Sequence, residues 1–149
     1  MRAAIALVIT VACLGCGTTR AAAPGERQWI ANTRGVIRQL QVDVSQLSGA
    51  DTVAEADKTL TDESRLYAAL VVYTDFGGCR HMVAALGKTP ARFRRVDLEL
   101  NRACTNLQRS SALFTRAVTA DDARVLAAAM RSARRAAAPL LRGELALGQ

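Results

Sequence analysis

Apolar and neutral residues recur three and four positions apart along most of this chain. Between Trp29 and Leu47 they fall at Ile30, Thr33, Ile37, Leu40, Val44 and Leu47, with Trp29 and Val36 widening the stripe. That spacing keeps one side of an α-helix apolar and predicts an amphipathic helix. Ser48, Gly49, Ala50 and Asp51 then end it in a turn.

Thr52 followed three positions later by Glu55 has the form of a capping box, with Val53, Ala56 and Leu60 as the apolar positions behind it. Thr61, Asp62 and Glu63 read as a second helix start ahead of Leu66, Tyr67, Leu70, Val71 and Tyr73. One continuous helix and two shorter ones are both open. The pattern runs on through Cys79, Met82, Val83 and Leu86 to a stop at Gly87, and Gly77-Gly78 in its middle predict a kink or local loosening.

Thr89 and Pro90 predict the next start, an N-cap and a first-turn proline whose missing amide hydrogen is not needed there. Phe93, Val96, Leu100, Ala103, Leu107, Ser110, Phe114 and Ala117 keep the alternation over more than three heptads, while Arg92, Arg94, Arg95, Arg102 and Arg109 point away from it. Thr119 and Asp122 cap a last helix carrying Val125, Leu126, Ala129, Ala133, Ala136 and Leu140, which Pro139 should bend or end. The alanine-rich run from Ala127 to Ala138 predicts close helix packing. Four segments with short connections predict an all-α fold, a small antiparallel bundle of about four helices.

Half of the 149 residues are apolar but only six are aromatic, so the expected core is thin and built of Leu, Val, Ile and a few rings. After Thr19 no stretch offers the roughly 18 apolar residues of a membrane span. The net charge of +7 is unevenly placed. From Glu26 to Asp75 five basic residues face eight acidic ones, whereas from Phe76 to Gln149 thirteen face five. Such lopsidedness suits an anionic partner.

The opening segment departs from the rest. Arg2 is followed by the apolar stretch Ala3 to Val11, then Ala12-Cys13-Leu14-Gly15-Cys16 and the small residues Gly17, Thr18 and Thr19. This is the three-part layout of an export signal. With Leu14-Gly15-Cys16 it resembles the signals of bacterial lipoproteins. That resemblance implies a signal peptide over 1–15, cleavage before Cys16, diacylglycerol on the Cys16 sulfur and acylation of the freed amine. Cys13, preceded by Val11 and Ala12, is an alternative modification point. Residues 16–25 then read as a lipid-anchored tether and 26–147 as the helical domain. Two or three acyl chains hold a protein at a membrane far more firmly than one. Cys13 and Cys16 also form a Cys-x-x-Cys pair, but haem attachment would need His where Gly17 stands, and an apolar export segment does not suit a redox site.

Export places the two remaining cysteines, Cys79 and Cys104, in an oxidising compartment and predicts a disulfide; otherwise each is a small buried apolar residue. If the hairpin turned near Lys88, a straight pair would set Cys79 opposite a residue near 98. The shortfall is about six residues, or about 9 Å. A bond then requires the Gly77-Gly78 kink or a steep crossing angle.

The chain carries little catalytic chemistry. His81 is its one histidine, so His-based triads lack support and multi-His zinc sites are excluded. Cys79 and His81 lie about 200 degrees apart on a helix and could share a metal only if it unwound. Asp62-Glu63 and Asp121-Asp122 sit at helix starts, where the macrodipole favours negative charge. Neither an enzyme nor a cofactor is expected. Two basic clusters, Arg92, Arg94 and Arg95 and then Arg131, Arg134 and Arg135, lack interleaved aromatics. In an exported protein they point away from nucleic acid and toward an anionic envelope polymer, a membrane surface or an acidic protein. A merely solvated helix face is the plainer reading of both.

The expectation is therefore an exported, membrane-anchored lipoprotein with a structural or surface-interaction role in the cell envelope. A carrier of a small apolar molecule or peptide is the alternative, with its pocket near Trp29, Tyr67, Tyr73 and Phe93.

Overall fold

The helix predicted from Trp29 onward begins at Pro24 in a computed structural model whose described residues are 24–47 and 51–148. The segment holding the expected signal and Cys16 lies outside them, as does most of the turn after the first helix. Helix α1, Pro24–Gln46, buries Trp29, Thr33, Ile37, Leu40, Val44 and the following Leu47, the stripe read from its sequence.

The open choice after Thr52 resolves as two helices. Thr52 Oγ1 accepts from the Glu55 amide at 3.2 Å and starts α2, Val53–Thr61. Asp62 breaks the run with extended backbone and caps α3, Glu63–Ala85, by accepting from the Arg65 amide at 3.1 Å. The expected loosening at Gly77-Gly78 is absent, because α3 runs unbroken through both residues. Gly77 instead permits close approach: a Cβ there would lie 3.2 Å from Ser111 Oγ.

The start expected at Thr89-Pro90 falls later. Pro90 is extended and leads into a single 3₁₀ turn, Ala91–Phe93, before α4, Arg94–Ala120. The delay moves the middle of the connection from Lys88 toward Pro90, which shortens the six-residue mismatch, and Cys79 and Cys104 meet with 5.4 Å between their Cα atoms and their sulfurs bonded. Helix α3 stays unbroken at Gly77-Gly78, so no kink contributes.

Helix α4 buries Val96, Leu100, Ala103, Leu107, Ser110, Phe114 and Ala117 in the predicted alternation. Asp122 caps α5, Ala123–Arg134, accepting from the Arg124 and Val125 amides at 2.8 and 3.1 Å. Thr119 takes no part. It lies within α4, and its hydroxyl bonds to the Thr115 carbonyl at 2.8 Å. Helix α6, Ala137–Leu147, continues α5 after a bend at Arg135-Ala136, where backbone angles stay helical. Pro139 explains the bend, since its ring displaces the carbonyl four residues back and supplies no amide to it.

Among the described residues six α-helical stretches therefore stand where about four helices were expected, or five rods if α5 and α6 are taken as one bent helix. Helix α4 is the central element. The α5–α6 rod runs antiparallel along it and α3 flanks it, while α1 packs against α3 and α6 and α2 against α3 and α5. The alanines of α5 permit close approach, so two serines bridge the helices directly. Ser110 Oγ donates to the Ala129 carbonyl at 2.6 Å and Ser132 Oγ to the Asn106 carbonyl at 3.1 Å. At the centre the Tyr73 ring stacks on Phe114, 4.2 Å between centroids, with Phe76 edge-on at 5.5 Å.

Candidate functional site

Helix α3 carries two apolar sides. Ala69, Val72, Tyr73, Phe76 and Cys79 face the core. Half a turn away, Tyr67, Leu70 and Val71 are 69%, 50% and 50% exposed. A helix apolar on all sides normally lies wholly within a protein. Among the described residues the principal helix neighbours of α3 are α1, α2 and α4, on its inner flank. In sequence Tyr67, Leu70 and Val71 read as core positions, because an unbroken apolar run does not reveal which side is covered. The outer side extends at alternating intervals of four and three as Glu63, Tyr67, Leu70, Thr74, Gly77, His81 and Ala84, all exposed. Thr74 satisfies its hydroxyl within the helix, donating to the Leu70 carbonyl at 2.8 Å. A second exposed apolar pair, Leu141 and Leu145, lies one turn apart on α6.

The six arginines of the two expected basic clusters do not form one surface. Arg92 pairs with Glu26 at 2.7 Å and lies over the Phe93 ring at 4.7 Å, at the end of the bundle where α3 turns into α4. The second cluster lies about halfway along α4, near the level of Asn106, about 16 Å farther along the axis. There Arg134 pairs with the Asp51 carboxylate at 2.8 Å and Arg131 donates to the Asp51 carbonyl at 3.1 Å, both fastening the turn before α2. Arg94, Arg95 and Arg135 are exposed and make no ion pair among the described residues.

Two acidic groups that sequence reasoning passed over are buried. Glu99 receives Arg142 through Nε at 3.0 Å and Nη2 at 2.9 Å, and Arg102 at 3.0 Å. The Arg142 hydrogen bond, with the charges of Arg142 and Arg102, holds the Glu99 carboxyl below its ordinary value against the opposing effect of burial. Its sequence signal was an acid inside the α4 stripe, between Val96 and Ala103. Asp43 differs, having no cation partner among the described residues. Gln39 donates to one of its oxygens at 3.0 Å while the other has no hydrogen-bond partner. Burial, and then the charge of Asp75, push its carboxyl above the ordinary value.

The four rings suggested for a carrier do not line a common cavity. Trp29 stacks on Phe93 with centroids 5.2 Å apart, Tyr73 sits in the central core and Tyr67 is on the surface. A cleft of about 290 Å³ opens beside Trp29, with Val83, Leu86 and Leu100 on its walls and Arg80, Asp97 and Asn101 as polar groups. Another of about 230 Å³ lies between Leu47, Ala69, Val72 and Met130. Cys79 and Cys104 are engaged with each other and His81 is on the surface; among the described residues no three His, Cys, Asp or Glu side chains converge. No helix among the described residues is long and apolar enough to cross a membrane.

No protein-family model, curated protein or solved structure matches the chain.

Proposed function

We propose that this protein is exported, anchored by lipid on Cys16 after removal of residues 1–15, and acts in the cell envelope by binding another protein. The anchor rests on the order of Arg2, the apolar Ala3 to Val11 and Leu14-Gly15-Cys16. The binding role rests on one observation: Tyr67, Leu70 and Val71 form an exposed apolar ridge on a helix whose other side already fills the core. Contiguous exposed apolar surface of this kind marks contact sites. Arg94 and Arg95 at one level of the bundle and Arg135 at another, without ion pairs among the described residues, add attraction for anionic groups.

Replacing Cys16 with Ser should release the protein from membranes. If it stays bound, and replacement of Cys13 also changes nothing, the anchor is refuted. A photo-crosslinker at Tyr67 in intact cells should give protein adducts that Leu70→Lys removes. Adducts insensitive to that substitution would refute contact through the ridge. The carrier reading is favoured only by the 290 Å³ cleft beside Trp29. A ligand there would shift the fluorescence of this single tryptophan.

A further inference from the structure

We propose that the occupant of the α3 ridge is the same ridge of a second copy, the two helices lying antiparallel about a two-fold axis on the outer side of α3, at the level of residue 72. This rests on the contact reading above and names its partner.

The ridge is self-complementary in that one direction. Its members Glu63, Tyr67, Leu70, Thr74, Gly77, His81 and Ala84 keep the alternating three- and four-residue spacing of a helix-pairing seam. Inverting the seam about residue 72 sets Glu63 opposite His81 of the second copy, Tyr67 opposite Gly77 and Leu70 opposite Thr74. Each large side chain meets a small one, and an acid meets an imidazole. A parallel arrangement would instead stack Glu63 on Glu63 and Tyr67 on Tyr67. Gly78, beside Gly77, leaves room for the tyrosine ring, since a Cβ built there meets nothing within 4 Å, while Gly77 lies at the edge of the seam against Ser111 of α4. This also gives Gly78 a role on the outer side of the unbent helix.

The wider charge pattern points the same way. Where α2 meets α3, Glu55, Asp57, Asp62 and Glu63 outnumber Lys58 and Arg65, which pair with Glu55 and Asp62, while Arg80, His81 and Lys88 gather at the other end of α3, with no acid between Asp75 and Asp97. The ends lie about 27 Å apart along the helix. Antiparallel pairing lays the acidic end of each copy over the basic end of the other, and a two-fold axis makes this happen twice. Complementary charge selects orientation and partner.

The test is sedimentation equilibrium of the full lipidated chain in density-matched detergent micelles. The wild type should dimerise, and Leu70→Lys should weaken self-association about tenfold or more. Leu70 is half-exposed, so the variant should keep the helical circular dichroism of the parent. His81→Glu, which sets acid against acid, should weaken the dimer, and Glu63→Arg added to it should restore it. Val71→Cys, close to the axis, should give a disulfide-linked dimer under mild oxidation. A monomer at all concentrations overturns the proposal, as does a dimer that Leu70→Lys leaves intact or a failure of the charge swap to rescue. A monomeric wild type overturns the pairing alone. The broader contact reading falls only if the crosslinked adducts at Tyr67 also survive Leu70→Lys.

Discussion

Cys79 of α3 and Cys104 of α4 are bonded across the hairpin that joins the two helices, 25 positions apart in sequence and 5.4 Å apart between Cα atoms. The bond therefore clamps α3 to α4 in their native alignment, with both cysteines fully buried.

The bond closes a loop of 25 residues, which restricts the unfolded chain. Replacing both cysteines with Ala should lower unfolding free energy by about 3 kcal/mol. Chemical denaturation of both forms measures the difference. Mass spectrometry of the unreduced protein should show two hydrogens fewer than the dithiol form, and free thiols at both positions would refute the bond.

Glu99 and Asp43 should give opposite pH dependences. Glu99 has its carboxyl below the ordinary value of 4.5 in the folded state, so its stabilisation is complete above that pH and lost as pH falls through the folded value. Asp43 has its carboxyl above the ordinary 3.8, so its contribution is present below 3.8 and lost as pH rises through the folded value. Its ionised form is disfavoured because it is buried, stands near the charge of Asp75 and has no cation partner among the described residues. Glu99→Gln should therefore destabilise at neutral pH and flatten the acid limb, whereas Asp43→Asn should stabilise at neutral pH. Urea denaturation from about pH 3 to pH 7 separates them; a loss of neutral-pH stability in Asp43→Asn would contradict the assignment.

Two helical glycines should respond differently to enlargement. Gly35 in α1 is exposed, and a Cβ there meets nothing within 4 Å. Gly35→Ala should gain about 0.5–1 kcal/mol, because alanine loses less backbone freedom on helix formation. Gly143 in α6 is buried, its Cβ position 3.6 Å from Ile37 Cδ1 and 3.8 Å from Glu99 Cβ. Gly143→Leu should cost about 1–3 kcal/mol by pushing α6 away from α1 and α4. Thermal melts of the two variants should move in opposite directions.

Much of the local structure was legible in the residues. The stripes of α1 and α4 and the caps at Thr52 and Asp122 each follow from spacing or chemistry within a few positions, whereas the pairing of Cys79 with Cys104 was expected because they are the two cysteines outside the opening segment, against the spacing of a straight hairpin. The start of α4 was less so. Thr89-Pro90 has the form of a cap, yet the chain inserts a 3₁₀ turn so that Phe93 can be buried against Trp29. That choice depends on α1, some sixty positions away.

The candidate site shows the same division more sharply. That α3 is helical, and that its middle is apolar, follows from Leu66 to Tyr73 in isolation. Which apolar residues stay in water does not, because a helix has two sides and periodicity cannot say how many neighbours will cover them. Packing of α1, α2 and α4 on one flank left Tyr67, Leu70 and Val71 outside. It likewise brought Arg142 to Glu99 and left Asp43 without a cation. Short-range steric and capping preferences are properties of neighbouring residues; burial and charge pairing are properties of whichever distant segments share the same space.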